Sequence, residues 1–230
     1  MSVPSILEQL SSGLIVSCQP VIGGPLDRPE ITAAFALAAL DGGACGLRIE
    51  GVENLKAVRA VTKVPVIGLI KEDLTDSPVR ITPFPTQARA LIEAGADIVA
   101  FDATDRVRPE PISRLIAAIK SAGVLAMADC SSVEDGRRAA DLGCELLGST
   151  MSGYLGGPIP DGPDLELVTA LSGCGRFTVA EGRYQRPVDA VRAQKNGADA
   201  VVVGSAISRP EHITSWFADA LTGRTKTGDR

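Results

Sequence analysis

Short apolar segments alternate along this chain with longer, helix-like segments. Each apolar segment holds mainly Val, Ile, Leu and Ala, and it is shorter than most helices. Such runs are typical of strands that are buried on both faces of a parallel sheet covered by helices. The pattern predicts eight strands, at residues 13–18, 45–49, 64–70, 98–101, 124–128, 146–147, 177–180 and 200–203.

A glycine stands a few residues before four of these strands, at Gly43, Gly95, Gly143 and Gly197. Glycine suits the C-terminal cap of a helix, where the chain takes a left-handed conformation before it enters the next strand. The order of helix, glycine cap and strand recurs about eight times, which predicts an α/β fold, a (β/α)8 barrel. A doubly wound sheet is the alternative.

The length of 230 residues suits a single domain of this kind, with a sizeable core. Hydrophobic residues make up 45% of the chain but aromatic residues only 3%, as expected for aliphatic packing between parallel strands and helices. We expect the barrel to occupy residues 1–222. The polar residues 223–230 are expected to form a frayed tail.

Composition argues against several classes of function. The net charge of −5 does not suit a nucleic-acid surface, which needs dense Lys and Arg. The first residues lack the basic region and long apolar core of a signal peptide, and no apolar run approaches the roughly 20 residues of a membrane span. We therefore expect a cytoplasmic protein without a membrane partner. Five scattered cysteines and the single histidine, His212, show no metal-ligand spacing, so no metal site is expected.

Polar side chains follow almost every predicted strand, and Arg48 lies within the second one. The C-terminal ends of parallel strands meet at one rim in both candidate folds, and ligands bind at that rim. We therefore expect these side chains to converge on one site. They are Gln19, Arg48, Lys71, Asp102, Asp129, Glu181 and Arg209.

Several of these residues also have a purely structural explanation. The segment 71–73 could be an ordinary solvated loop, and Arg48 could form an interior ion pair with Glu50. Asp102 could merely cap the helix that follows it. Convergence at one rim is the reason to favour a functional interpretation.

Two adjacent strand ends offer glycine and arginine to one anion. Gly204 and Ser205 open a turn that ends on Arg209, and Gly182 precedes Arg183 after the seventh strand. Backbone N–H groups at a helix start, together with arginine, suit a phosphate ester.

The rim residues predict acid and base chemistry without a metal. A lysine that is partly desolvated beside other cations has a lowered pKa and can act as a general base, with Glu181 as its partner. Arg48 and Gln19 can stabilise an oxygen that gains negative charge when a C–H beside a carbonyl is broken. The pattern thus favours proton abstraction on a phosphorylated sugar. Lys71 could instead form a Schiff base, and the residues leave that choice open.

Seven phrases are more specific, at residues 13–20, 48–52, 76–82, 129–131, 152–154, 180–184 and 203–210. Together, and in this order, they closely resemble the bacterial N-acylmannosamine-6-phosphate 2-epimerases. The resemblance implies interconversion of N-acetylmannosamine 6-phosphate and N-acetylglucosamine 6-phosphate in sialic acid catabolism. It also implies a (β/α)8 barrel without metal or organic cofactor, and a homodimer.

The resemblance further assigns roles to individual residues. It implies that Lys71 is the catalytic lysine, which removes and returns the C2 proton, and that Glu181 is its partner carboxylate. The positions expected to hold the sugar, its open-chain carbonyl and its N-acetyl group are Gln19, Arg48 and Asp129. The positions expected to hold the phosphate are Gly182, Arg183, Gly204, Ser205 and Arg209.

The chain departs from the family pattern at a few positions. Residues 154–163 are richer in glycine and proline than expected, which leaves the role of this loop as a lid open. Ser208 stands where threonine is common. Two other functions remain as alternatives: a Schiff-base aldolase that acts on a related phosphosugar, and a phosphosugar-binding regulator without catalysis.

Overall fold

Eight parallel strands close into a barrel in this protein. The structure, a computed structural model, describes residues 3–156 and 159–223. The strands are β1 Gly13–Cys18, β2 Gly46–Glu50, β3 Val66–Leu69, β4 Ile98–Asp102, β5 Leu125–Asp129, β6 Leu146–Gly148, β7 Phe177–Glu181 and β8 Ala200–Val203. Each strand pairs with the next, and β8 returns to β1 through Ala200 opposite Gly13. This closure confirms the predicted barrel and excludes the doubly wound sheet.

Helices connect successive strands around the outside of the barrel. Two described helices lie outside the simple repeat, namely one before β1 and a single turn after β8. None of the described helices is long and apolar enough to cross a membrane. The helices are α1 Val3–Leu10, α2 Pro29–Asp41, α3 Val52–Val61, α4 Pro85–Glu93, α5 Ile112–Ser121, α6 Val133–Asp141, α7 Leu165–Ser172, α8 Pro187–Lys195, α9 Ser205–Ser208 and α10 Pro210–Thr222.

Successive residues of each strand alternate between the barrel interior and the helices. Leu47 and Ile49 pack in the cluster between β-barrel and helices, whereas Ile15 and Ile67 belong to the interior cluster. Arg48, between Leu47 and Ile49, therefore points inward. Helix α1, which the strand pattern did not predict, adds Ile6 and Leu10 to the interior cluster.

Five strands extend one residue past their predicted ends, and four of these end on a carboxylate, at Glu50, Asp102, Asp129 and Glu181, while β6 ends at Gly148. The apolar pattern stops at the last apolar residue, but the backbone ladder continues through the polar one. Asp102 pairs with Asp129 and Glu181 with Val202. These carboxylates consequently start on rigid strands rather than on loops.

The predicted glycine caps are confirmed. Gly43, Gly95, Gly143 and Gly197 have φ values of 97°, 99°, 90° and 95°, in the left-handed region that a side chain disfavours. Gly223 ends α10 in the same way, with φ 68°. The rest of the predicted frayed tail, 224–230, lies outside the described residues.

Candidate active site

Lys71 lies two residues beyond β3, at the C-terminal end of the barrel, and is half-buried. An antiparallel bridge to Ile81 fixes its backbone, and its N–H donates to Glu50 Oε1 at 3.3 Å. Its Nζ donates to Gln19 Oε1 at 2.7 Å. Lys71 is thus held by neighbouring strand ends, whereas Glu72 and Asp73 beside it are exposed.

The loop after Lys71 is tied back to the barrel through Thr82. Thr82 is buried and its φ of 44° is unusual for a β-branched residue. Its hydroxyl donates to Ala100 O at 2.7 Å and accepts from the N–H of Ile70 at 3.2 Å, while its own N–H donates to Ile70 O at 2.7 Å. These bonds stabilise the strained backbone and fix the end of β3 against β4.

The surroundings of Lys71 favour its neutral form. Burial, the largest cause, and the positive charges of Arg209 and Arg48 lower its pKa to about 8. The negative charges of Glu50 and Glu181 raise the pKa again, but by less. A lysine with this pKa is partly a neutral amine near neutral pH, which is the form that accepts a proton.

A buried arginine joins two carboxylates across the barrel. Arg48 is only 1% exposed, and it donates from Nη2 to Asp129 Oδ2 at 2.7 Å and from Nη1 to Asp129 Oδ1 at 3.1 Å. Arg48 Nη1 also forms an ion pair with Glu181 Oε2. The interior ion pair left open by the sequence is therefore with Asp129 and Glu181, and not with Glu50.

Glu181 has a pKa well above that of an ordinary glutamate. Burial, the largest cause, and the nearby charge of Asp129 raise the pKa of Glu181 to about 7, although Arg48, Thr150 and Lys71 act to lower it. Its Oε2 accepts its hydrogen bonds from Arg48 and Thr150, whereas the Nζ of Lys71 is bonded to Gln19. The influence of Glu181 on Lys71 is therefore electrostatic.

Strand β6 carries a glycine, Gly148, next to Asp129 of the Arg48 ion pair. A Cβ atom on Gly148 would lie 2.6 Å from Met127 Cε, 3.0 Å from Thr150 Oγ1 and 3.3 Å from Asp129 Oδ1. The missing side chain leaves the space in which Thr150 approaches Asp129.

Gln19 links Lys71 to the last loop of the barrel. Its side-chain Nε2 donates to Ser17 Oγ at 2.8 Å, which orients Oε1 towards Lys71. Its backbone carbonyl accepts from Arg209 Nε at 2.8 Å. Ser208, beside Arg209, donates from its hydroxyl to Ser17 O at 2.6 Å. The arginine after β8 and the lysine after β3 are thus joined through one residue of β1's loop.

Two sharp turns lie at the ends of β7 and β8. Gly182 and Arg183 have φ values of 110° and 61°, and the chain bends directly after Glu181. Gly204 precedes α9, whose first N–H groups, beginning with Ser205, have no partner within the helix. These N–H groups are suited to receive an anion.

The Arg183 side chain is directed to the loop that follows β6. It donates from Nε to Gly162 O at 2.7 Å and from its terminal nitrogens to Ser152, and it lies over the Tyr154 ring at 5.9 Å. Its guanidinium therefore holds this loop, and only its backbone shares the turn with Gly182.

Asp102 has a structural role at the end of β4. It is fully buried and accepts from Thr104 N–H at 2.9 Å and from Thr104 Oγ1 at 2.6 Å. Arg106 donates to its second oxygen. These bonds close a turn within residues 102–106, whereas α5 begins at Ile112 after the N-cap Pro111, so the expectation that Asp102 caps that helix is wrong. The same bonds separate Asp102 from the other rim residues.

The rim residues thus form two connected groups. Gln19, Lys71 and Arg209 form one, and Arg48, Asp129 and Glu181 form the other. Sequence reasoning missed Thr150, which belongs to the second group. The apolar run at 146–147 is too short to mark the end of β6, although Thr150 follows β6 as Lys71 follows β3. Among residues 3–156 and 159–223, no cluster of His, Cys, Asp and Glu is suited to a metal ion.

A family model described as "Putative N-acetylmannosamine-6-phosphate epimerase", NanE, matches residues 32–223. The chain belongs to this family. The resemblance found in the sequence is therefore confirmed.

Curated relatives of this NanE family member match over nearly their whole length. A protein of Pasteurella multocida is 58% identical over 221 residues, which cover 96% of this chain and 97% of the relative. A protein of Haemophilus influenzae is 53% identical over 221 residues, with the same coverage of 96% and 97%. Both carry the name "Putative N-acetylmannosamine-6-phosphate 2-epimerase".

Solved structures agree with the fold. The N-acetylmannosamine-6-phosphate 2-epimerase from Clostridium perfringens matches with a TM-score of 0.90 and 37% identity, covering 93% of this chain and 95% of that one. A thiamine phosphate pyrophosphorylase from Pyrococcus furiosus matches with a TM-score of 0.61 and 20% identity, covering 91% and 92%. The second match shows the barrel fold alone.

Proposed function

We propose that this protein interconverts N-acetylmannosamine 6-phosphate and N-acetylglucosamine 6-phosphate by removing and returning the proton at C2. The observation that carries the proposal is Lys71, a half-buried lysine with a pKa of about 8 at the mouth of the barrel. The names of the family and of its relatives support the same reaction, and sialic acid catabolism is its metabolic setting.

The chemistry follows from the position of C2 beside the C1 aldehyde of the open-chain sugar. The neutral amine of Lys71 takes the C2 proton, and the electrons of the C–H bond move to the carbonyl oxygen, which leaves an enolate. Arg48 and Arg209, whose charges act on Lys71, stabilise the negative charge that develops. Return of a proton to the opposite face of C2 completes the epimerisation.

The remaining residues position the substrate in this proposal. Gln19 lies against the Nζ of Lys71 and orients it. Asp129 is fully buried with both oxygens on Arg48, so it acts by holding the arginine that faces the sugar. Glu181, with a pKa of about 7, supplies or stores a proton beside this arginine.

The phosphate of the substrate is assigned to the turns after β7 and β8. Gly182 and Arg183 contribute backbone N–H groups, and Gly204 and Ser205 contribute those that open α9. Arg209 adds a positive charge. This site anchors the far end of the sugar while Lys71 acts on C2.

Solvent exchange tests the proposed reaction directly. The native protein is incubated with N-acetylmannosamine 6-phosphate in D₂O, and the C2 proton is followed by NMR. We expect deuterium at C2 together with formation of N-acetylglucosamine 6-phosphate, because the proton lost to Lys71 exchanges with solvent. Binding of the sugar phosphate without exchange would instead support a non-catalytic regulator.

The same substrate separates epimerisation from a Schiff-base aldolase. Borohydride reduces an imine between lysine and a carbonyl to a stable covalent adduct. We expect mass spectrometry to find no adduct on Lys71 after borohydride treatment with substrate. An adduct at this lysine would favour the aldolase.

Replacement of Arg209 is expected mainly to weaken substrate binding. In Arg209→Gln the loss of a charge-assisted contact to phosphate costs about 1.5–3 kcal/mol, or a rise in KM of about tenfold or more. The exposed Arg114, on α5, supplies the matched control Arg114→Gln. A KM equal to that of the native protein would remove Arg209 from the phosphate site.

We also propose that two copies of the chain associate through α10. None of the described residues of α10 is buried, and Phe217 and Leu221, one turn apart, are 70% and 88% exposed. Apolar side chains exposed together in this way are typical of contact surfaces, and symmetric dimers are the commonest assembly. Sedimentation velocity tests the proposal, which a monomer would contradict.

The cytoplasmic location remains a prediction that cell fractionation would test.

A further inference from the structure

The Thr150 hydroxyl lies between two carboxylates of the active-site cluster. Its Oγ1 is 2.7 Å from Asp129 Oδ1 and 3.1 Å from Glu181 Oε2. Arg48 Nη1 lies 3.5 Å from Thr150 Oγ1. Thr150 is therefore an uncharged side chain that contacts both acidic groups of this cluster.

The two carboxylates are held differently. Asp129 binds Arg48 through both of its oxygens, at 2.7 and 3.1 Å, and is fully buried. Glu181 shares Nη1 of the same arginine through Oε2 alone, and its side chain is 14% exposed. Glu181 is thus the more exposed of the two acids, and Asp129 is the one that holds Arg48 through both of its oxygens.

A threonine hydroxyl carries one hydrogen and two lone pairs, so it donates to one partner while it accepts from another. When Glu181 is ionised, Thr150 can donate to Glu181 Oε2. When Glu181 is protonated, its own hydrogen can go to Thr150 Oγ1, and Thr150 then donates to Asp129 Oδ1. The exchange needs rotation of one hydroxyl hydrogen, and Asp129 Oδ1 keeps its hydrogen bond from Arg48 Nη1 at 3.1 Å in both states.

We propose that Thr150 is a positioning residue that keeps Glu181 in one place in both of its protonation states. This role rests on the proposed function, in which Glu181 gains and loses a proton beside the substrate. A carboxylate that shifted on each proton transfer would lose its alignment with Arg48, and catalytic groups depend on such alignment. The glycine at position 148 supports the same role, since a side chain there would press on Thr150 and Asp129.

The charge balance at Glu181 agrees with this geometry. Its pKa is raised to about 7 mainly by burial, and the hydrogen bond from Thr150 acts to lower it. A hydrogen bond to an ionised carboxylate is stronger than one to the protonated acid. Removal of the hydroxyl therefore costs the ionised form more, and we expect it to raise the pKa of Glu181 further.

Two substitutions separate the hydroxyl from the volume of the side chain. Thr150→Val keeps the shape and removes the hydroxyl, whereas Thr150→Ser keeps the hydroxyl. Thr178→Val is the matched control, because Thr178 on β7 is a buried threonine whose hydroxyl bonds to a backbone carbonyl, Arg176 O, outside the cluster. All three variants are compared with the native chain by thermal unfolding, so that a loss of fold is recognised.

Kinetics and a direct titration are then measured on each protein. In Thr150→Val we expect kcat to fall by about tenfold or more with KM changed by less than about threefold. Titration of the Glu181 carboxyl by carbon-13 NMR should show a higher pKa in this variant. Thr150→Ser and Thr178→Val should stay near the native protein in both measurements.

Three results would overturn the role of Thr150. These are an unchanged Glu181 titration in Thr150→Val, an equal loss of kcat in Thr150→Ser, and an equal loss of kcat in Thr178→Val. The titration does not depend on turnover. A native protein that fails to exchange the C2 proton, yet shows the titration shift in Thr150→Val, would overturn the proposed epimerisation and leave the Thr150 contact established.

Discussion

Replacing Lys71 with alanine is expected to abolish both deuterium exchange at C2 and epimerisation. General base catalysis by a positioned side chain contributes about 10²–10⁴-fold to a rate, and the proposed reaction has Lys71 as its only base for the first step. We therefore expect kcat/KM to fall by about a hundredfold to ten-thousandfold. The assay is proton NMR of N-acetylmannosamine 6-phosphate in D₂O.

The pH dependence of the native protein belongs to the same prediction. Because the neutral amine is the active form, kcat/KM should rise with pH and level off above the Lys71 pKa of about 8. A small primary amine added to Lys71→Ala should restore part of the exchange by occupying the vacated space. Lys56→Ala, at an exposed lysine of α3, is the control and should keep native activity. Exchange at the native rate in Lys71→Ala would remove this lysine as the base.

Replacing Arg48 with methionine is expected to cost more stability than any other single change in the site. The substitution leaves Asp129 and Glu181 in the barrel without their common cation, and breaking a buried pair in this way typically costs about 3–5 kcal/mol. We expect the free energy of unfolding, measured with urea, to fall by about this amount. Epimerisation should be lost as well, since Arg48 faces the developing enolate in the proposed reaction.

The destabilisation of Arg48→Met should depend on pH in a defined direction. Arg48 lowers the pKa of Glu181, so its removal raises that pKa further above the value in the unfolded chain. The folded variant then binds more protons than the unfolded chain between these two pKa values, and its stability falls as pH rises through this range. The loss relative to the native protein should thus be smaller at low pH.

A matched set of variants isolates the charge of Arg48. The double variant Arg48→Met with Glu181→Gln removes one of the two carboxylates that have lost their cation, and it should recover part of the lost stability. Arg114→Met, at an exposed arginine on α5, should change the free energy of unfolding by less than about 0.5 kcal/mol. Native stability in Arg48→Met would show that the two carboxylates do not depend on this cation.

Much of the barrel could be predicted because its signals are local. A buried parallel strand needs a short aliphatic run, and a helix that turns back into the sheet needs a cap such as Gly95 or Gly197. The ends of the strands were less predictable. The apolar pattern stops before Asp102 or Glu181, whereas the hydrogen-bonded ladder includes them.

The candidate site was predictable as a set of positions and not as a set of contacts. Every strand of a closed barrel ends at one rim, so Lys71, Glu181 and Arg209 could be placed there from their positions in the repeat. The hydrogen-bond partners of these side chains could not be predicted. Lys71 bonds to Gln19 rather than to Glu181, and the Arg183 guanidinium holds the loop after β6.

The amino-acid sequence by itself determined the barrel, the family and the rim at which the candidate residues meet, because periodicity, glycine caps and strand-end residues are properties of a few neighbouring positions. Only the tertiary structure decided which groups touch. Arg48 meets Asp129 and Glu181 across 81 and 133 residues of chain, with Thr150 between the two carboxylates. Contacts across such distances depend on how the strands close around the axis, and burial there sets the pKa values of Lys71 and Glu181.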